Sequence, residues 1–323
     1  MHEPRYAVEP VLFCTLVAAI PLLAVMCLGA PAPERLDPGL LATVLRLEVQ
    51  AQDGGSPAVG TGFLVSTTGN ASGKTLLITN KHVVGDWNYA DRDFHRYYAW
   101  VDVFFYRSPN DPAGQAFRPG RIDLINVDRS LNTARVHLHP DRGIDLVAID
   151  VTDKINNDAV EHIQSAVFDE SFMLRFSDVR AWHVDITDEV IALGYPFGIR
   201  SLKDNYPIAK IGTLASTPGK EVSIPVLFKN RLNADVRTTL DGKFFVVDGL
   251  ITFGNSGGPV TIVGGVRVGR DPKTNALQFT DRPVENRVIG VVSAGIGGGL
   301  SIVVSSDYVV ELMHLADSKP ETH

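Results

Sequence analysis

The stretch DGLITFGNSGGPV (Asp248–Val260) places Ser256 in a turn flanked by Gly254, Gly257 and Gly258 and leading into the apolar strand Val260–Val263. A serine hydroxyl is a weak nucleophile at neutral pH and needs a base within hydrogen-bond reach. Glycines beside it let the backbone turn sharply and aim N–H groups at one point. There they stabilise a developing oxyanion by about 2.7–4 kcal/mol per donor. Two earlier stretches offer the partners. In ITNKHVV (Ile78–Val84) a strand runs into His82, and in RGIDLVAI (Arg142–Ile149) Asp145 opens an apolar strand. A buried carboxylate on one imidazole nitrogen fixes the tautomer and stabilises the imidazolium as it forms. Asp123 and Asp141 compete with Asp145 for that place.

Outward from these stretches, the chain beyond residue 40 reads as short strands bounded by turn residues. LATVLRLEV (Leu41–Val49), VGTGFLVST (Val59–Thr67), TLLITN (Thr75–Asn80), AWVDVFFY (Ala99–Tyr106) and ARVHLHP (Ala134–Pro140) alternate or are β-branched. EVIALGYP (Glu189–Pro196), AKIGTLAS (Ala209–Ser216), KFFVVDG (Lys243–Gly249), RVIGVVSAG (Arg287–Gly295) and LSIVVSS (Leu300–Ser306) continue the series. Only Ser306–Ala316 has a helical rhythm, with Val309, Leu312 and Met313 on one face and Ser306 as N-cap. So many strands with one closing helix predict an all-β protein built as two barrels. The irregular insertions Asp86–Tyr98 and Ile155–Asp178 read as surface loops, the second with a short helix from Val167.

Composition narrows the function classes. Among 323 residues, 30 are basic and 37 acidic, a net charge of −7, which argues against a strongly basic nucleic-acid binder. Cys14 and Cys27 are the only cysteines and lie near the N-terminus, so the folded part has no disulfide framework and no thiol nucleophile. Val11–Ala30 is 20 residues without a charge, long enough to cross a hydrocarbon core of about 30 Å. It reads as a membrane anchor, with a cleaved signal peptide as the alternative. The flank before it sets Arg5 against Glu3 and Glu9, and Pro33 follows the only small-x-small site, Ala30-Pro31-Ala32. Lys and Arg are scarce on both flanks, so the orientation of an anchor is weakly specified; the expected setting is extracytoplasmic, with membrane association through residues 11–30. The expected organisation is a segment and linker over 1–38, a folded domain over 39–318 and a tail over 319–323. Within the domain, barrels fall at about 39–160 and 185–305, with the helix over 306–316. His137 and His139 share a strand face, but no further ligand is nearby, so no metal or cofactor is expected.

Taken together these motifs resemble the trypsin-like (chymotrypsin-fold) serine peptidases, and among them the bacterial HtrA/DegP-like branch. GTGFLVS (Gly60–Ser66), TNKHVV (Thr79–Val84), DLVAI (Asp145–Ile149), ALGYPFG (Ala192–Gly198), DGLITFGNSGGPV and VIGVVSAG (Val288–Gly295) occur in the family's order. The order His…Asp…Ser is that of chymotrypsin-type barrels. The resemblance implies two six-stranded barrels with a site between them. His82 would be the general base, Asp145 its orienting carboxylate and Ser256 the nucleophile, with the Gly254 and Ser256 N–H groups as the oxyanion hole. The primary substrate pocket would be lined by Leu250, Phe253, Val292, Ser293, Ala294 and Gly295. The implied activity is serine endopeptidase on peptide or protein substrates; a protease-fold scaffold that turns over poorly is the alternative. Asn255 stands where digestive relatives carry an aspartate that pairs with a newly cut N-terminus, which implies no proteolytic activation step. With 67 residues after Ser256, no PDZ domain is expected, which departs from the HtrA pattern.

Overall fold

The structure is a computed structural model. It describes residues 38–49, 57–67, 73–106, 117–156, 167–200, 205–229, 232, 234–249, 252–262, 266–270, 274, 276–281 and 286–318, all within the unit Leu36–His323. The apolar segment 11–30, both cysteines and Leu250 lie outside them.

A short helix, α1 (Pro38–Thr43), leads into the antiparallel strands β1 (Val44–Val49), β2 (Ala58–Ser66) and β3 (Thr75–Thr79). One helical turn, α2 (Lys81–Val84), is followed by a hairpin of β4 (Gly85–Asn88) and β5 (Asp93–Tyr97). The first half is completed by β6 (Trp100–Tyr106), β7 (Phe117–Asp123), β8 (Val136–Leu138), β9 (Val147–Asp150) and the short helix α3 (Thr152–Asn156). Its main sheet has the order β7-β6-β1-β2-β3-β9-β8. This is an open seven-stranded sheet, where a closed six-stranded barrel was expected. Strand β8 has only three residues, and the chain between the two edges is taken up by turns around an isolated Ile125–Leu131 bridge. Among the described residues no ladder joins β7 to β8.

The second half runs through β10 (Glu189–Gly194), β11 (Ile208–Leu214), an arm of β12 (Val222–Lys229) and β13 (Asp235–Gly242), then β14 (Phe244–Asp248) and β15 (Pro259–Ile262). A hairpin of β16 (Val266–Arg270) and β17 (Leu277–Asp281), then β18 (Arg287–Gly297), β19 (Leu300–Ser305) and the helix α4 (Ser306–Asp317) complete it. Strands β10-β11-β14-β19-β18-β15 close into a six-stranded barrel, as expected. The helix begins where the sequence places it, but its N-cap is Ser305, whose hydroxyl accepts from the Asp307 N–H.

Three hydrophobic cores hold these elements, and they explain why the site-bearing strands are apolar without interruption. On β3, Leu77 points into the core of the first half, while Leu76 and Ile78 face the core shared by both halves. On β9, Val147 and Ile149 face the first core and Ala148 the shared one. On β18, Ile289 and Val292 fill the second barrel, whereas Val288 and Val291 face the shared core. Period-two alternation thus buries both faces of β3 and β9, and on β18 a bulge opposite Val260 and Thr261 shifts the alternation while both faces stay buried. Each fully buried Leu, Ile or Phe contributes about 1.5–3 kcal/mol, so the strands that carry His82, Asp145 and Ser293 are clamped from both sides. Helix α4 packs against β8, β9, β18 and β19, with Val309, Leu312 and Met313 buried in the shared core.

The insertion Ile155–Asp178 departs from the surface loop expected of it. Residues 157–166 lie outside the described part, but Phe168, Met173, Leu174 and Phe176 are buried. Phe168 bridges to Val65, and a single 3-10 turn (Glu170–Phe172) stands in place of the expected helix. The segment is a core-lining connection between the two halves.

Candidate active site

Strand β3 ends at Thr79, and the next turn, α2, presents His82. Asp145 comes from the loop before β9, and the two segments are tied by the Asn80 side-chain amide donating to the Asp145 carbonyl at 2.7 Å. Lys81 is buried and its ammonium donates to the carbonyls of His139 and Asp141, fastening that same loop. Burial pulls the Lys81 ammonium down to about 8, with Asp145 and Asp141 partly offsetting it.

His82 Nδ1 lies 2.7 Å from Asp145 Oδ2, and the His82 backbone N–H donates to Oδ1 at 3.2 Å. Asp145 is 2% exposed. A buried carboxylate accepts only, so Nδ1 carries the proton and Nε2 is left as the basic nitrogen. Of the competing carboxylates, Asp141 accepts from the Gly143 N–H in its own loop and Asp123 ends β7 opposite Trp100. Asp145 is the one that reaches His82.

Two further donors crowd the same oxygen. The Ser293 hydroxyl on β18 donates to Asp145 Oδ2 at 3.2 Å, and the Tyr89 hydroxyl does so at 2.5 Å. Ser293, expected to line the substrate pocket, is buried and turns its side chain to the carboxylate. Tyr89 was read as part of a surface loop. The only signal for it in the sequence is an aromatic residue seven positions after His82, which no period marks.

Ser256 is held between the two halves. Its carbonyl accepts from the Thr61 N–H at 2.9 Å, and Thr61 in turn accepts from the hydroxyl of Thr79, three residues before His82. On the other side the Gly257 N–H donates to the Val292 carbonyl, next to Ser293. Gly257 has φ +86, and a Cβ there would lie 2.0 Å from the Thr61 oxygen, so glycine is required. No hydrogen bond joins Ser256 to His82 among the described residues; such contacts are commonly long until a substrate is seated.

Peptide-plane geometry around Ser256 fixes where two N–H groups point. The Phe253 carbonyl accepts from the Phe197 N–H, and the Asn255 carbonyl from the Gly258 N–H, both at 2.9 Å. In a trans peptide the N–H points opposite to the carbonyl. The Gly254 and Ser256 N–H groups are therefore turned away from those acceptors, and neither has a protein acceptor among the described residues. The Asn255 N–H between them is tied to the Thr252 carbonyl, and the buried Asn255 side chain also bonds Thr252. Of the remaining expected pocket residues, Val292 is buried in the barrel, Ala294 is half-buried, and Gly295 and Phe253 are exposed.

A family model for the trypsin-like peptidase domain matches residues 60–269. No curated protein matches the chain. Similar solved structures include the Rv3671c protease from M. tuberculosis in its active form, with TM-score 0.46 and 14% identity over 100% of this chain and 97% of that one. Another is the serine endoprotease from Yersinia pestis, with TM-score 0.45 and 14% identity over 89% of this chain and 67% of that one.

Proposed function

Because the chain belongs to the trypsin-like peptidase domain family, we propose that it is a serine endopeptidase in which Ser256, His82 and Asp145 act together. The observation that carries the reading is the Ser256 turn. The Gly254 and Ser256 N–H groups of that turn have no protein acceptor among the described residues, while His82, oriented by Asp145, stands on α2. In this reading the Ser256 Oγ attacks the substrate carbonyl and His82 Nε2 takes its proton. The oxyanion that forms sits against the Gly254 and Ser256 N–H groups. The C–N bond then breaks as His82 returns the proton to the leaving amine, and water, activated by the same nitrogen, hydrolyses the acyl ester. Leu250, Phe253 and Val292–Gly295 would bound the pocket for the residue before the cut, and the apolar run 11–30 supports an extracytoplasmic, membrane-tethered setting.

The test is hydrolysis of an unfolded protein or peptide library by the wild type and by Ser256→Ala at equal thermal stability. Loss of a triad nucleophile costs about 10⁶ in kcat in the best-studied case, so the variant should be inert. A second reading, a scaffold that keeps the fold but turns over poorly, rests on the missing Ser256–His82 hydrogen bond. It predicts no hydrolysis by the wild type either.

A further inference from the structure

Tyr89 lies in the turn between β4 and β5, and its surroundings come from α2, β4, the loop before β9, the β12–β13 arm and β18. Its hydroxyl meets Asp145 Oδ2, the Ser293 hydroxyl at 3.0 Å and His82 Nδ1 at 3.1 Å. Its ring stacks on Phe228 of the β12–β13 arm, with centroids 4.4 Å apart and planes at 18°, and meets Trp87 edge-on at 4.5 Å. The same turn is fastened to the arm by the Asn88 side-chain amide on the Lys229 carbonyl and by the Arg92 guanidinium on the Thr239 carbonyl, each at 2.9 Å. The arm therefore braces the turn at three points, and the braced turn delivers one hydroxyl to the carboxylate that orients His82.

We propose that Tyr89 is a positioning residue for Asp145, and that the β12–β13 arm, through Phe228, sets that position. The inference rests on the serine-peptidase reading for its catalytic consequence, but not for the hydrogen bond itself. Burial and the neighbouring Asp145 charge push the Tyr89 phenol well above its ordinary value, so it remains a donor throughout the working range. A carboxylate oxygen shared among His82 Nδ1–H, Tyr89 and Ser293 is a weaker acceptor for each. The Tyr89 bond thus limits how tightly Asp145 holds the imidazolium and keeps the carboxylate from turning. The charged group that faces Asp145 besides His82 is Lys81 on α2, which itself stands beside Asp141 and Arg142 on the loop before Asp145. Ser293 on β18 and Phe228 on the arm add no charge.

Two readouts test this on the full-length protein: the acidic limb of the kcat/KM pH profile, and the His82 imidazole titration followed by NMR. Tyr89→Phe keeps the ring and its stack but removes the donor. With one competitor gone, Asp145 holds the imidazolium harder, so both midpoints should rise by about 0.5 unit, with KM unchanged. Phe228→Ala keeps the hydroxyl and removes its platform, and should move both midpoints in the same direction by less. A stronger donor, 3-fluorotyrosine placed at position 89, should move them down. Unchanged midpoints in Tyr89→Phe, with the protein folded, overturn the positioning role, since a residue that only packs leaves them in place. A shift in Tyr89→Phe with none in Phe228→Ala overturns the part assigned to the arm. If Tyr89→Phe does not fold, the fluorotyrosine protein decides alone. A wild type that cleaves nothing while its His82 titration still responds to position 89 refutes the peptidase reading and leaves the positioning role standing.

Discussion

Gly254→Ala puts the oxyanion geometry to the test with a single methyl group. Gly254 has φ +94, where an L side chain is strained by about 1–2 kcal/mol. The added Cβ would lie 2.3 Å from the Tyr195 oxygen and 3.0 Å from the Phe197 nitrogen, both backbone atoms. Neither can retreat cheaply. The Tyr195 N–H donates to Thr61 Oγ1, and that hydroxyl donates to the Gly254 carbonyl at 2.6 Å. The least costly response is rotation of the 253–254 peptide, which breaks the Phe197–Phe253 hydrogen bond and swings the Gly254 N–H out of its present direction. One lost donor is worth about 2.7–4 kcal/mol of transition-state stabilisation, so kcat should fall by about 10²–10³. The oxyanion exists only beyond the ground state, so KM should hardly change. The assay is steady-state hydrolysis of a peptide substrate, with circular dichroism and Tm to show that the fold survives. A folded Gly254→Ala protein with kcat within about tenfold of wild type would refute the assignment of this N–H to the oxyanion.

Activity should rise with pH as His82 loses its proton and becomes the acceptor for Ser256, and chelators should leave it unchanged; a flat profile between about pH 5 and 9 contradicts a histidine base. The residues expected to form the primary pocket, Leu250–Phe253 and Val292–Gly295, include no acid. Matched peptides should therefore be cut faster after Val or Leu than after Lys or Arg, whose buried charge would be unpaired. The reverse preference in a kcat/KM series points to Asp248 or another carboxylate reaching in. Burial alone would push the Asp307 carboxyl up, but the Phe176 N–H, the Lys243 ammonium and the Ser305 hydroxyl outweigh it and hold it below its ordinary value. Asp307→Asn should cost about 2 kcal/mol at neutral pH. Because the folded-state value is depressed, that stability is present above the unfolded value of about 3.9 and fades as pH falls through the folded one, so denaturation curves of wild type and variant should converge in acid.

The parts of the site that announce themselves in the sequence are those whose chemistry demands a local pattern. The Ser256 turn needs glycines because Gly254 and Gly257 have positive φ and face backbone oxygens, and that requirement is written into six consecutive residues. Asp145 and His82 are legible because each adjoins a strand buried on both faces, which leaves an uninterrupted apolar run. Tyr89 is not legible for the opposite reason. It reaches Asp145 from a turn where Arg92 takes a positive φ, in a hairpin of exposed Asp93, His95 and Arg96 with no apolar period to mark it. The arm is partly legible in retrospect, since Ile224, Val226 and Phe228 alternate on one face. Pro225 in their midst argues against a central strand, and β12 is an edge strand, where the missing N–H is tolerated. The open edge of the first sheet depends on turns around residues 124–135, whose closure is a matter of tertiary geometry that no local spacing encodes.

The central claim is that Ser256 is a nucleophile activated by His82, and covalent labelling reads it without knowledge of the substrate. The full-length protein treated with a fluorophosphonate and mapped by peptide mass spectrometry should carry one adduct, on Ser256. The adduct should be absent from Ser256→Ala and form far more slowly in His82→Ala. An unlabelled wild type, or an adduct on another residue that persists in Ser256→Ala, would contradict the account.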